Sequence, residues 1–113
     1  MINFLKRLFG KHDNYGLRHD SAHLSDMQRK IAFLTVEEQS KYADKVCVER
    51  INDKRFILSQ FSGLDVNDTS FFTGINATAI GNMAYVHLNA PIPEVRDKAL
   101  AVIKNYQTWI KSF

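Results

Sequence analysis

Twenty consecutive residues without Asp, Glu, Lys or Arg, from Thr69 to Leu88, constrain this chain more than any other feature. Wound as an α-helix, the segment places its small residues in one row and its bulkier apolar residues in another. The small row is Gly74, Ala77, Gly81 and Ala84, and the second row is Phe72, Ile75, Ala79, Met83 and Val86. Small residues let a neighbouring helix approach closely, and bulky ones fill the space between further neighbours. We therefore predict a central helix over residues 69–88, covered on nearly every side.

A membrane span is the first alternative for this segment, because about 20 apolar residues cross the hydrocarbon core of a bilayer. The polar side chains of Asn76, Asn82 and His87 would be costly in that environment. Asp65 and Asp68 precede the segment, where a span would carry Lys or Arg anchors. We therefore expect a buried helix and no transmembrane segment.

Two segments are compatible with either a helix or a strand. A break at Gly81 would leave residues 83–88 as a short strand, because Tyr85 and Val86 favour extended structure. A single strand would find no obvious partner in this chain. Residues 54–62 carry apolar side chains at both spacings, and their helical neighbours favour a helix.

Amphipathic spacing predicts further helices over residues 2–9, 22–34, 36–51 and 93–113. The expected buried rows are Leu24, Met27, Ile31 and Leu34 in the second of these helices, and Val95, Ala99, Val102, Ile103, Tyr106, Ile110 and Phe113 in the last. Thr35 and Glu38 have the spacing of a capping box, and Pro93 suits the first position of the last helix. Residues 65–69 are expected to supply the N-cap of the central helix, with Asp68 placed to complement its dipole.

The length of 113 residues predicts one helical domain spanning residues 1–113. We expect an all-α fold, a compact bundle of about five to six helices around the central helix. Cys47 is the only cysteine, which excludes an intrachain disulfide and is typical of a reducing, cytoplasmic environment. Its place in an apolar row predicts an inert, buried thiol.

The net charge of +3 is distributed unevenly along the chain. Residues 1–30 hold six Lys or Arg against three Asp, whereas residues 61–90 hold only two charged residues, both of them Asp. A dedicated nucleic-acid-binding protein usually concentrates much more positive charge on one face. Nucleic acid is therefore not the partner that the composition favours.

No phosphate-binding glycine loop, metal-type cysteine pair or serine hydrolase motif is present, so the sequence predicts neither catalytic residues nor a cofactor. His19 and His23 would lie one turn apart on a helix, as two metal ligands do, and Asp26, His12 or His87 would have to complete the site. Exposed histidines near a helix start are the simpler interpretation, with His87 as a hydrogen-bonded core residue. We predict no metal.

In its size, its lack of catalytic motifs and its cytoplasmic character, the chain resembles the small immunity proteins that bacteria encode beside contact-dependent and other polymorphic toxins. Those proteins share no common sequence signature, so the resemblance transfers no individual residues. It implies a non-enzymatic protein that binds a cognate toxin domain and covers its active site. A few aromatic and charged residues would dominate the binding energy of such a complex.

The candidate binding residues are chosen from the chain itself. They are the mid-chain carboxylates Glu49, Asp53, Asp65 and Asp68, together with Trp109. The carboxylates lie around predicted helix connections, where they could gather at one end of the bundle and meet a cationic partner. Trp109 falls beside the apolar row of the last helix, which suits a partly exposed aromatic anchor.

Two other hypotheses remain open at this stage. A small regulatory protein could bind nucleic acid or an anionic surface through Lys6, Arg7, Lys11 and Arg18, and its affinity would then fall steeply with salt. A metal protein or enzyme would instead use His19 and His23.

Overall fold

The computed structural model describes residues 26–70, 72 and 75–112, and over these ranges it contains helices, turns and no strand. The six helices of the described ranges are α1 Asp26–Ala32, α2 Val36–Ser40, α3 Lys45–Arg50, α4 Lys54–Phe61, α5 Ala77–Asn89 and α6 Pro93–Lys111. The predicted all-α class is confirmed. The short helix predicted over residues 2–9 lies outside the described residues.

Polar side chains define where four of these helices begin. Each accepts a hydrogen bond from the backbone N–H three residues later, which satisfies one of the amides that a helix start leaves unpaired. The pairs are Thr35 with Glu38, Asp44 with Cys47, Asp53 with Phe56 and Asn76 with Ala79, at 3.1, 2.8, 3.0 and 2.8 Å. The capping box predicted at Thr35 is confirmed, because the Glu38 carboxylate also accepts from the Thr35 N–H at 3.2 Å.

The central helix α5 begins at Ala77, eight residues later than the predicted start at Thr69. Asn76 is its N-cap, so the predicted N-cap within residues 65–69 is wrong. Asp68 instead accepts a hydrogen bond from the Ser70 N–H at 3.0 Å, which holds a turn before the helix. The alternative of a strand over residues 83–88 is excluded, because α5 continues through them to Asn89.

The helix predicted over residues 36–51 is two helices, α2 and α3, separated by a link over residues 41–44. Asp44 caps the second helix, and its own N–H donates to the side-chain oxygen of the buried Asn82 at 2.8 Å. The acceptor of this hydrogen bond lies on α5, so the residues around Asp44 give no signal of it in the sequence. The helix predicted over residues 36–51 is therefore interrupted where Asn82 of α5 supplies a hydrogen-bond partner for the link.

The core lies between α5 and its neighbours. Seven of the 13 residues of α5 are buried, and the helix packs most extensively against α6 and α2. The prediction for α6 is confirmed within the described residues, since Pro93 is its first residue and six members of its apolar row are buried. These are Val95, Ala99, Val102, Ile103, Tyr106 and Ile110.

Side-chain amides and one lysine on α6 and α2 attach the peripheral segments to the core. The Gln107 amide donates to the Ala32 carbonyl at 2.7 Å, and Gln39 donates to the same oxygen at 3.2 Å. Lys98 donates to the Phe61 carbonyl at 2.9 Å, and Asn105 donates to the Val66 carbonyl. The C-terminal ends of α1 and α4 are thereby held against the bundle.

Gly81 lies where the backbone of α5 meets the α2–α3 link. A Cβ atom at this position would lie 2.4 Å from the Tyr42 carbonyl carbon and 2.6 Å from the Ala43 nitrogen. Both are backbone atoms, which cannot rotate away as a side chain does. The predicted role of this small residue in close helix approach is therefore realised at the link.

No helix within the described residues is long and apolar enough to cross a membrane. The longest, α6, carries charged residues over its exposed side, and α5 has 13 residues.

We expect Gly81→Ala to lower the free energy of unfolding by about 1–3 kcal/mol or more, because the new methyl group must displace the Tyr42–Ala43 backbone. Urea unfolding followed by circular dichroism measures the change. Gly63→Ala is the matched control, since a Cβ at Gly63 meets nothing within 4 Å. Equal stability of the Gly81→Ala variant and the native chain would contradict the close contact.

Candidate functional site

The most polar part of the core surrounds Asn82 and contains the only thiol. The side chain of Asn82 is fully buried and holds the start of α3 through the Asp44 N–H. The Cys47 Sγ lies 3.8 Å from the Asn82 carbonyl oxygen, to which it donates. Burial, with the nearby Asp44 carboxylate, raises the pKa of the Cys47 thiol to about 12. This arrangement stabilises the α3–α5 contact and disfavours a nucleophilic thiolate.

We expect Cys47 to be unreactive toward a thiol reagent such as dithionitrobenzoate at about pH 8 in the folded protein, because burial excludes the reagent and keeps the thiol protonated. Unfolding in urea should expose the thiol and restore ordinary reactivity. Absorbance of the released chromophore measures both rates. Rapid labelling of the folded chain would contradict the buried, protonated state.

Metal ligands do not gather anywhere in the described part of the chain, where no cluster of three or more His, Cys, Asp or Glu side chains is found. His12, His19 and His23 lie outside the described residues. Asp26 is exposed at the start of α1. His87 is partly buried, and its Nδ1 lies 3.0 Å from the Arg96 carbonyl oxygen. Since a carbonyl only accepts, this ring nitrogen carries a proton.

Two of the predicted binding carboxylates, Glu49 and Asp53, lie on the exposed side of α3 and in the turn before α4. Glu49 is 3.9 Å from the Lys45 ammonium, one helical turn away. Asp53 caps α4 and accepts from the Arg50 guanidinium at 3.0 Å. These contacts lower the pKa of Asp53, chiefly through the hydrogen bond from the Phe56 N–H and then through Arg50.

Asp65 and Asp68 lie in the loop after α4, and both are exposed. Asp65 accepts from the Asn67 N–H at 2.9 Å, and Asp68 accepts from the Ser70 N–H at 3.0 Å. The Ser70 hydrogen bonds lower the pKa of Asp68. Each carboxylate thus holds its own turn, and neither contacts Glu49 or Asp53 through a hydrogen bond.

Trp109 is half-buried in an aromatic cluster with Phe72 and Tyr106. Its ring centroid lies 5.6 Å from that of Phe72 and 5.9 Å from that of Tyr106. Phe72 and Tyr106 meet edge to face at 5.4 Å, and both are fully buried. Burial raises the pKa of the Tyr106 hydroxyl far above its ordinary range. Trp109 therefore contributes mainly to packing, with one part of its side chain at the surface.

Two exposed apolar side chains accompany the carboxylates on α3 and α4. Val48 is 41% exposed and Leu58 is 44% exposed. On the same two helices, the Arg50 guanidinium lies 3.8 Å from the centre of the Phe56 ring. We refer to Val48, Glu49, Arg50, Asp53 and Leu58 as the α3–α4 surface. A protein-binding surface combines apolar side chains at its centre with a polar rim.

A second exposed apolar group lies on α1, where the sequence predicted otherwise. Met27 was expected in the buried row of that helix, but it is 52% exposed, and Phe33 just after the helix is 46% exposed. The Lys111 ammonium of α6 lies 5.4 Å from the centre of the Phe33 ring. We refer to Met27, Lys30, Phe33 and Lys111 as the α1 patch. The sequence did not indicate this patch because α1 buries Ala32 beside the predicted Ile31 and leaves Met27 exposed.

The basic residues proposed for a nucleic-acid or anionic surface, Lys6, Arg7, Lys11 and Arg18, lie outside the described residues. Comparison of the chain with protein-family models, with curated proteins and with solved structures finds no match.

We expect the free energy of unfolding to fall with pH below about 4, because the pKa of Asp53 is lower in the folded than in the unfolded chain. A depressed folded-state pKa adds stability above the unfolded pKa, and this is lost as the pH falls through the folded pKa. Asp53→Asn keeps a capping oxygen but does not titrate. Its stability deficit should be largest above about pH 4 and should vanish in acid.

Urea titrations of both chains between about pH 2 and pH 6 measure this difference. Glu38 and Asp68, whose pKa values are also lowered, contribute the same trend in both chains and cancel in the comparison. A stability deficit that does not change with pH would contradict the role of the Asp53 charge.

Proposed function

We propose that this chain is a non-enzymatic protein-binding module whose α3–α4 surface covers part of a partner protein. The observation that carries the proposal is the pair of exposed apolar side chains, Val48 and Leu58, among charged groups that intramolecular contacts already hold. Burying an apolar side chain of this size contributes roughly 1.5–3 kcal/mol when burial is complete. Half-exposed side chains would add a part of that on binding.

The capping contacts support the proposal by reducing the entropic cost of association. Asp53 is bound both to the Phe56 N–H and to Arg50, and Arg50 rests on the Phe56 ring. Side chains that are ordered before binding lose less rotamer freedom in the complex. The charged rim then favours correct encounter and orientation of the partner more than it adds affinity.

The biological role that we propose is immunity, in which the chain binds a toxin domain in the cytoplasm and blocks access to its active site. This role requires only steric coverage, which a small helical surface can provide. It needs no catalytic group in the chain, and it agrees with a core in which Cys47 is protonated and buried. The role rests on the resemblance of type and on the α3–α4 surface together.

We expect coexpression of the chain with a toxin domain encoded beside it to restore bacterial growth. The double variant Val48→Ser/Leu58→Ser should bind that domain about 100-fold more weakly and lose protection, because both apolar anchors are removed. Isothermal titration calorimetry at physiological salt measures the affinity. Leu88→Ser is the matched control, since Leu88 is 39% exposed on a different helix and should tolerate the change.

Each outcome of this experiment has a distinct meaning. Native affinity in the double variant would refute the assignment to the α3–α4 surface. Failure of the native chain to bind or protect would refute immunity against that toxin. Tight binding to an oligonucleotide that falls steeply with added salt would instead support a nucleic-acid-binding protein.

A further inference from the structure

The α1 patch combines exposed apolar side chains with positive charge. Met27, Lys30 and Phe33 follow one another at intervals of three residues on the exposed side of α1 and just beyond its end. The Lys111 ammonium lies over the Phe33 ring at 5.4 Å from its centre, which is within the range of a cation–π contact. An aromatic ring and a thioether are therefore presented between two cations.

Positive charge continues along α6 from this patch. Lys104 and Lys111 are seven residues apart, so they lie on the same helix face about 10 Å from each other. Both are exposed, as is Lys30. Asp26 lies one turn before Lys30 on α1 and Asp97 two turns before Lys104 on α6, so no carboxylate lies between Lys30 and Phe33 or between Lys104 and Lys111 in the sequence. The centre of the surface around Phe33 is thus cationic.

The backbone beneath Phe33 is held from two sides. The preceding carbonyl, that of Ala32, accepts from Gln107 at 2.7 Å and from Gln39 at 3.2 Å. The Phe33 N–H donates to the Lys30 carbonyl at 3.2 Å. Ring and backbone are therefore positioned before any partner arrives, which lowers the cost of ordering them on binding.

We propose that the α1 patch binds an acidic segment of a protein, in which carboxylates flank an aromatic or aliphatic side chain. The carboxylates would pair with Lys30 and Lys111, and the apolar side chain would pack on Met27 and Phe33. The inference rests on the proposed function, since it names the chemistry of a partner's surface. An acidic partner also agrees with the net charge of +3, which disfavours a basic one.

Nucleic acid fits this patch less well than an acidic protein. Its cations are a few lysine ammonium groups, which act as point charges and lack the forked geometry with which arginine binds phosphate. Met27 adds apolar area that a phosphate backbone cannot use.

The test measures binding of a fluorescent random copolymer of Glu and Tyr to the full chain by fluorescence anisotropy at physiological salt. We expect saturable binding that weakens about tenfold in Lys30→Glu/Lys111→Glu and to a similar extent in Phe33→Ser. Poly-Glu, which has no apolar side chain, should bind more weakly than the copolymer. The matched control is Lys54→Glu/Arg55→Glu, which changes net charge equally on exposed positions of α4 and should bind normally.

Four results would overturn the inference: no copolymer binding, equal weakening by the control, equal binding of poly-Glu, or tighter binding of a single-stranded oligonucleotide through the same lysines. Concentration-dependent dimers that Lys30→Glu/Lys111→Glu abolishes would identify a second copy as the occupant instead. These results are separable from those for the proposed function, which depend on Val48 and Leu58. Loss of protection in that double variant, with normal protection in Lys30→Glu/Lys111→Glu, would refute this inference alone.

Discussion

The backbone contact between α5 and the link from α2 to α3 is the constraint on which the packing depends. At Gly81 the space for a Cβ atom is already taken by backbone atoms of Tyr42 and Ala43. The adjacent Asn82 then reaches the Asp44 N–H through its side chain and Cys47 through its carbonyl. One turn of α5 thereby sets the position of α2 and α3. Seven of the 13 residues of α5 are buried.

A centre organised in this way uses its polar groups for structure. Asn82 holds the link, Gln39 holds the end of α1, and the Cys47 thiol is kept protonated by burial. On the surface, in contrast, exposed apolar side chains lie beside charged groups. Capping hydrogen bonds and ion pairs hold these charged groups in position. The α3–α4 surface has this character, whereas the α1 patch is more cationic and has Lys111 in a cation–π contact with Phe33. The activity that we propose is therefore binding to another protein through these exposed surfaces.

The candidate site was only partly predictable from sequence. Glu49 and Asp53 were selected as carboxylates near helix connections, and both lie on the exposed side of α3 and its connection to α4. The sequence does not indicate that the apolar members of the two surfaces are exposed. Val48 and Leu58 lie in helices whose short length gives little periodic signal, and Met27 belongs to a predicted row of which α1 buries only Ile31. Whether an apolar side chain is exposed depends on which other helices pack against it in the folded protein.

The sequence by itself determined the all-α class, the capping box at Thr35, the start of α6 at Pro93 and the buried row of that helix, because these features rest on local hydrogen bonds and on periodicity over several turns. Tertiary structure decided the break between α2 and α3, the late start of α5 and the outward position of Met27. Although α5 begins at a local cap, Asn76, the α2–α3 link depends on Asn82, 38 residues from Asp44, and the end of α1 depends on Gln107, 75 residues from Ala32. No local pattern records such contacts, since they form only when the helices pack.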